Sequence, residues 1–149
     1  MSEPAGSPGL LSRPLVPVAS EDDAVETCRT AFPRIAAAGG RPVVVHVIEK
    51  AGGAPDKASV EQREEYADGI FEAGREVLDE ADADIETDDR VVFGTSIAGA
   101  VFDLCDEIDA SSVALVPRKS NRPLDLLVGG RMDAFVQDNN VPVVVLPDD

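Results

Sequence analysis

The chain has no tryptophan, one tyrosine, one histidine and two cysteines in 149 residues, and aromatic residues make up only 4% of it. A core so poor in rings must be filled by aliphatic side chains, and a hydrophobic content of 44% supplies them, with Val and Ala prominent. Cys28 and Cys105 are far apart, and neither belongs to a Cys-x-x-Cys pair or a Cys/His cluster, which removes the usual patterns for a metal site or a redox pair. Both fall on apolar helical positions, where a free cysteine acts as a small core residue. His46 is embedded in an apolar strand with no Cys or second His to join it, so a packed, hydrogen-bonded ring is expected there in preference to a ligand or a catalytic base. No apolar run approaches the roughly 18 residues that a bilayer span requires, and nothing reads as a signal peptide. A cytoplasmic protein without a membrane partner is expected.

Positive charge is scarce as well. Asp and Glu number 29 against 13 Lys and Arg, for a formal net charge of -16, and lysine occurs only at Lys50, Lys57 and Lys119. Such a polyanion repels nucleic acid and anionic lipid at long range, so neither is expected as a partner. A hydrated carboxylate surface also keeps molecules apart where salt screens their repulsion, which makes a high-salt, halophilic cytoplasm the expected setting. The length suits one core. Residues 1–12, punctuated by Pro and Gly, read as a flexible tail, and 13–149 as one domain.

Along the domain, apolar runs alternate with segments of helical period. Pro14 to Val18 is a short apolar run that reads as the first strand. Ser20, three residues before Asp23, supplies an N-cap with a carboxylate at the third helical position. Ala24, Cys28, Ala31, Phe32 and Ile35 then mark the buried stripe of a helix from Glu21 to about Ala38, which Pro33 is expected to kink or shorten and Gly39-Gly40 to close. Pro42 to Ile48 is an unbroken β-branched strand, the mark of a parallel sheet covered on both faces. Glu49 to Asp56 reads as a loop, and a longer helix follows with Tyr66, Ala67, Ile70, Phe71, Gly74, Val77, Leu78 and Ala81 expected on its inner face. Ile85 to Phe93, carrying Asp88 and Asp89, reads as an edge strand. Gly94-Thr95-Ser96 caps a third helix with Ile97, Ala100, Val101, Leu104, Cys105 and Ile108 inward, and Ser112 to Pro117 forms a fourth strand. Gly129 to Asn139 reads as a fourth helix and Val141 to Pro147 as the fifth strand.

This βαβαβαβαβ order, with right-handed crossovers, predicts an α/β protein with a doubly wound, Rossmann-like, five-stranded parallel sheet and helices on both faces. Ligands of such sheets sit beyond the C-terminal strand ends, where strand order reverses. The candidate walls are therefore the residues after each strand: Ala19 and Ser20, Ile48 and Glu49, and the stretch that begins with Pro117 to Ser120. That last stretch concentrates the scarce positive charge at Arg118, Lys119, Arg122 and Arg131, and ends at Gly129-Gly130, where helix N–H groups would lie open to an anion. These cations either pair with the surplus carboxylates or hold an anionic ligand. Ser20 reads as a helix cap, since no His/Asp pair accompanies it as it would a nucleophile.

Leu15-Val16-Pro17-Val18, the Val45-His46-Val47-Ile48 strand, the Val91-Val92-Phe93-Gly94 segment and the finish from Leu126-Leu127-Val128-Gly129 to Val141-Pro142-Val143-Val144-Val145 together resemble the universal stress protein family. The resemblance runs from about Pro14 to Pro147 and rests on the order and separation of these pieces. It implies a flavodoxin-like fold with strand order 3-2-1-4-5 and a homodimer built through the last strand, here Val141 to Pro147. One branch of the family binds ATP through a Gly-x-x-Gly-x9-Gly-Ser/Thr loop, and the other lacks that loop. In this chain Ala19 stands where the resemblance places an acidic residue. Pro117 and Ser120 stand in place of the first two glycines, and Gly129-Gly130 in place of Gly-Ser, with the spacer one residue short. Proline and serine do not readily take positive φ, and proline lacks an N–H, so the backbone phosphate cradle is compromised and the branch without the ATP motif fits better.

No nucleophile with its base, metal cluster or paired acid and base is visible, so no enzyme chemistry is expected. The sequence reads as a non-enzymatic, dimeric, universal stress-like protein, regulatory or small-ligand-binding. The alternative is an ATP-binding protein with slow hydrolysis that uses the loop from Arg118 to Arg131. No cofactor is assigned, and the family's usual manner of holding ATP is disfavoured. Candidate ligand residues are Pro17, Val18, Ala19, Ser20, Val47, Pro117, Arg118, Lys119, Ser120, Arg122, Gly129, Gly130 and Arg131.

Overall fold

A computed structural model describes residues 9–49, 57–81, 85–94, 96–116 and 141–146. In chain order these form β1 (Pro14–Pro17), α1 (Glu21–Ala37), β2 (Val43–Glu49), α2 (Lys57–Glu80), β3 (Asp88–Gly94), α3 (Ile97–Ile108), β4 (Ser112–Leu115) and β5 (Val143–Val145). The strands make one sheet in the order β3-β2-β1-β4-β5, and every neighbouring pair is parallel. This is the doubly wound sheet expected from the order of elements, with the 3-2-1-4-5 strand order that the family resemblance implies. The fourth helix expected over 129–139 lies outside the described residues, and the last strand is shorter than the run from Val141 to Pro147.

Side-chain alternation explains the layers. Leu15 and Val16 are both fully buried but point to opposite faces of β1. Val16, Val18, Val44, Ala114, Val116 and Leu146 pack with Ala24, Cys28, Ala31, Phe32 and Ile35 of α1 and Ala67, Ile70, Phe71 and Val77 of α2. On the other face Leu15, Val43, Val45, Val113 and Leu115 pack with Val101, Leu104 and Cys105 of α3. The unbroken β-branched runs are thus covered on both sides. β3 is the outermost strand on its side of the described sheet and carries the expected charges, with Arg90 Nε 3.2 Å from Asp88 Oδ2 and Asp89 paired to Arg75 of α2.

Two expectations about the helices are corrected. Pro33 does not shorten α1, which runs through it to Ala37. Pro33 and Arg29, the residue whose carbonyl loses its donor there, are both exposed, so water can take that bond. Tyr66 is not on the inner face of α2: it is 52% exposed and meets the ring of His46 edge-on, with centroids 5.9 Å apart. Ala81, exposed one residue past the end of α2, is also outside the core.

The chain below the sheet is tied down earlier than a tail over 1–12 would suggest. The Leu10 carbonyl accepts from the hydroxyls of Ser111 at 2.7 Å and Ser112 at 2.6 Å, and the Ser12 carbonyl accepts from the Arg41 amide at 2.9 Å. α1 ends beside this segment in a Schellman motif: Gly39, at φ +73, donates to the Ala36 carbonyl at 3.0 Å, and Gly40 donates to the Ile35 carbonyl at 2.9 Å. A methyl group on Gly40 would run into the Leu11 carbonyl oxygen, which is backbone held in place from both sides. Gly69 differs, since a methyl there meets only the flexible Glu21 carboxylate at 2.7 Å. In urea unfolding, Gly40→Ala is therefore expected to cost about 3 kcal/mol or to prevent folding, while Gly69→Ala, in a helix interior, leaves stability unchanged or raises it by up to about 1 kcal/mol. Equal effects at the two positions would contradict this account of the Gly40 contact.

Candidate functional site

The chain leaves β1 toward β2 on one side, and β4 lies on the other, so strand order reverses between β1 and β4. At this point Val18, Ala19 and Ser20 follow β1 and Val116 follows β4, with Val18 and Val116 buried and Ala19 and Ser20 partly exposed. The β1–β2 register ends at Pro17 opposite Val45, and the last ladder bond runs from the Val18 amide to the Val45 carbonyl at 2.9 Å. From there side chains replace the ladder. The Val18 carbonyl accepts from His46 Nδ1 at 2.9 Å, and the Ala19 amide donates to Asp23 Oδ2 at 2.7 Å.

The same few residues start α1. Ser20 is its N-cap, accepting from the Asp23 amide on its hydroxyl oxygen at 3.1 Å and from the Ala24 amide on its carbonyl at 2.8 Å. Asp23 also accepts from the Thr27 hydroxyl at 3.1 Å, and both side chains are buried. The capping pattern read from Ser20-x-x-Asp23 is present, but the carboxylate reaches the amide of Ala19, one residue before the cap.

Among the residues expected to bind a ligand, the structure brings Val18, Ala19 and Ser20 together at the switch point. Strand alternation places Pro17 on the α3 face with Val47, which packs against the α3 cluster, while Val18 turns toward α1 and α2. Pro117, Arg118, Lys119, Ser120, Arg122, Gly129, Gly130 and Arg131 lie outside the described residues. Reading the sequence missed Asp23 and Thr27 as supports of the β1 end. It identified His46 as a hydrogen-bonded ring but not the carbonyl that ring holds.

The chemistry available is limited. Burial, with smaller contributions from Asp23 and Asp89, pushes the Cys28 thiol up to about 12; burial and then Asp106 do the same for Cys105. A thiol so poorly ionised is not a nucleophile at neutral pH. His46 Nδ1 is committed to a carbonyl, and Ser20 serves as a cap. Asp89 is raised above the usual aspartate value because burial outweighs the opposing Arg75 guanidinium, with Asp88 adding to the rise. That pair joins α2 to the start of β3, at the opposite end of the strand from the switch point. No group of three or more His, Cys, Asp or Glu among the described residues could hold a metal ion, and no helix among them is long and apolar enough to cross a membrane. A cleft of about 170 Å³ lies between the C-terminal halves of α1 and α2, lined by Cys28, Arg29, Pro33, Val77, Glu80 and Ala81.

Comparison with known proteins gives the same architecture. The model of the universal stress protein family matches residues 12–147. The universal stress protein UspA from Lactobacillus plantarum superposes with a TM-score of 0.65 at 20% identity, covering 91% of this chain and 97% of that one. The universal stress protein from Archaeoglobus fulgidus in complex with dAMP gives 0.60 at 18% identity, covering 91% and 98%. A universal stress protein in complex with cAMP gives 0.53 at 20% identity, covering 91% and 98%. No curated protein matches the chain.

The buried thiols give a pH dependence. Folded, they keep their protons to about pH 12, whereas in the unfolded chain they ionise near 9.0. Between those values the folded state holds more protons, so their contribution to stability is complete below pH 9 and falls as pH rises through the window. The urea midpoint is expected to decline above pH 9, and less steeply in the Cys28→Ala/Cys105→Ala variant. An identical decline in both proteins would contradict the assignment.

Proposed function

The chain belongs to the universal stress protein family, and from that premise we propose that it works without covalent chemistry, as a regulatory protein that binds a small ligand in the crevice between the ends of β1 and β4. The observation that carries this reading is the β1 end itself. It is a loop at the switch point of a parallel sheet, where such folds take ligands, and its polar groups are committed to holding its own shape. Preorganisation of that kind favours binding, since less order has to be imposed when the ligand arrives. Structural neighbours in complex with dAMP and cAMP make adenine nucleotides the first ligand class to test.

ATP held through a backbone phosphate cradle fits this chain poorly. Ala19 supplies no carboxylate, Pro117 offers no N–H, and Ser120 replaces a glycine. The first turn of α1 carries Glu21, Asp22 and Asp23, which occupy the positive end of its dipole and oppose a phosphate there. Titration of the purified protein with Mg-ATP in concentrated KCl is expected to show no tight, saturable binding and no release of phosphate. Tight binding would replace this reading with that of an ATP-binding protein whose loop from Arg118 to Arg131 holds the phosphates, and phosphate release would add slow hydrolysis.

The proposed setting is a high-salt cytoplasm, supported by the net charge of -16 and the scarcity of lysine. The proposed assembly is a dimer paired along β5, which is the outermost strand on its side of the described sheet and leaves Val145 44% exposed. Light scattering is expected to give a dimer for the natural chain and a shift to monomer for Val145→Lys. A monomer at every concentration of the natural chain would contradict the pairing.

A further inference from the structure

One peptide group in the crevice is gripped at both ends by buried side chains. The carbonyl of Val18 and the amide of Ala19 belong to the same planar unit. His46 reaches across from β2 to donate Nδ1–H to that carbonyl at 2.9 Å, and Asp23 reaches back from the first turn of α1 to accept that amide on Oδ2 at 2.7 Å. His46 is 8% exposed and Asp23 only 2%. Thr27 steadies the carboxylate through its other oxygen at 3.1 Å, and Tyr66 lies edge-on against the imidazole. Rotating the peptide would break both hydrogen bonds at once and deprive a buried carboxylate and a buried imidazole of a partner, each of which is costly.

We infer that His46 and Asp23 are positioning residues of the ligand crevice: together they lock the Val18–Ala19 peptide in one orientation and withdraw both its poles from any ligand. This rests on the crevice being the ligand site and says how that site recognises. With the peptide withdrawn, this wall offers the Ala19 methyl and the Ser20 hydroxyl, whose oxygen accepts from the Asp23 amide and whose proton can donate. Glu21 and Asp22 are exposed immediately beyond. The ligand edge that fits here is uncharged and carries a hydrogen-bond acceptor, such as a ring nitrogen or a carbonyl. Nδ1 carries a proton in both the δ tautomer and the imidazolium, so the lock holds for either charge of the ring.

The test is hydrogen exchange at the Ala19 amide of the full chain, measured by NMR against the amide of Phe32 inside α1. His46→Leu keeps an apolar side chain of similar bulk but removes the donor. His46→Asn is smaller but puts an amide N–H close to the position of Nδ1. The lock predicts that His46→Leu and Asp23→Ala each lower the relative protection of Ala19 by about tenfold or more. It also predicts that His46→Asn stays near the natural value, as does Asp23→Asn, which can accept from Ala19 and donate to Thr27. If His46→Leu retains protection while His46→Asn loses it, the ring acts by packing alone and the inference fails. Unchanged protection in Asp23→Ala overturns it equally, even if His46→Leu does not fold. The exchange readout requires no ligand, so its failure is distinct from failure of the ligand-binding reading, which native mass spectrometry of the purified protein addresses through any small molecule it retains.

Discussion

The whole arrangement depends on the central strand β1, buried over Pro14, Leu15 and Val16. Leu15 and Val16 of β1 are fully buried on opposite faces, and each such burial contributes about 1.5–3 kcal/mol only if something apolar covers its side. β1 lies at the centre of the order, so α1 and α2 must close over one face and α3 over the other. Parallel pairing then requires a crossover between successive strands, and the alternation of sheet and helix along the chain follows from those two conditions.

The same constraint sets the switch point at which the proposed ligand site lies. A strand buried on both faces has to leave the sheet at its C-terminal end, and with neighbours on either side its chain turns out where the order reverses. After Val18 the ladder stops, yet the backbone is still mostly enclosed, so its polar groups need partners. His46 and Asp23 supply them from β2 and α1, the two elements that follow β1. Packing and the proposed recognition meet here: the bonds that complete the burial of β1 also shape the surface that the proposed ligand would meet.

Much of the fold was legible because it is written in local patterns. Runs such as Val43-Val44-Val45 identify a strand covered on both faces, and the spacing of Ala24, Cys28, Ala31, Phe32 and Ile35 identifies the inner stripe of α1. Pro33 misled because proline disfavours helix interiors on average, whereas the cost is small where the lost bond faces solvent. Tyr66 misled because helical period alone does not say how far a face extends, and a ring at the margin can cover a histidine while remaining half exposed. The site was legible only in part. Ser20-x-x-Asp23 disclosed a cap, since four neighbouring residues suffice for one. The grip on the Val18–Ala19 peptide was not legible, because His46 lies 28 residues from Val18 and only the β1–β2 register brings them together. The basic residues from Arg118 to Arg131 were conspicuous in the sequence for their charge and lie outside the described residues.

Binding of a small molecule beside Ala19 and Ser20 is the claim on which the functional account rests. Native mass spectrometry of the protein as purified in concentrated salt tests it most directly, by comparing the folded mass with that of the denatured chain. A noncovalent increment from a small molecule is expected in the folded protein, greatly reduced in an Ala19→Trp variant whose side chain fills the proposed site. A folded mass equal to a whole number of bare chains, or an increment that Ala19→Trp leaves intact, would contradict it.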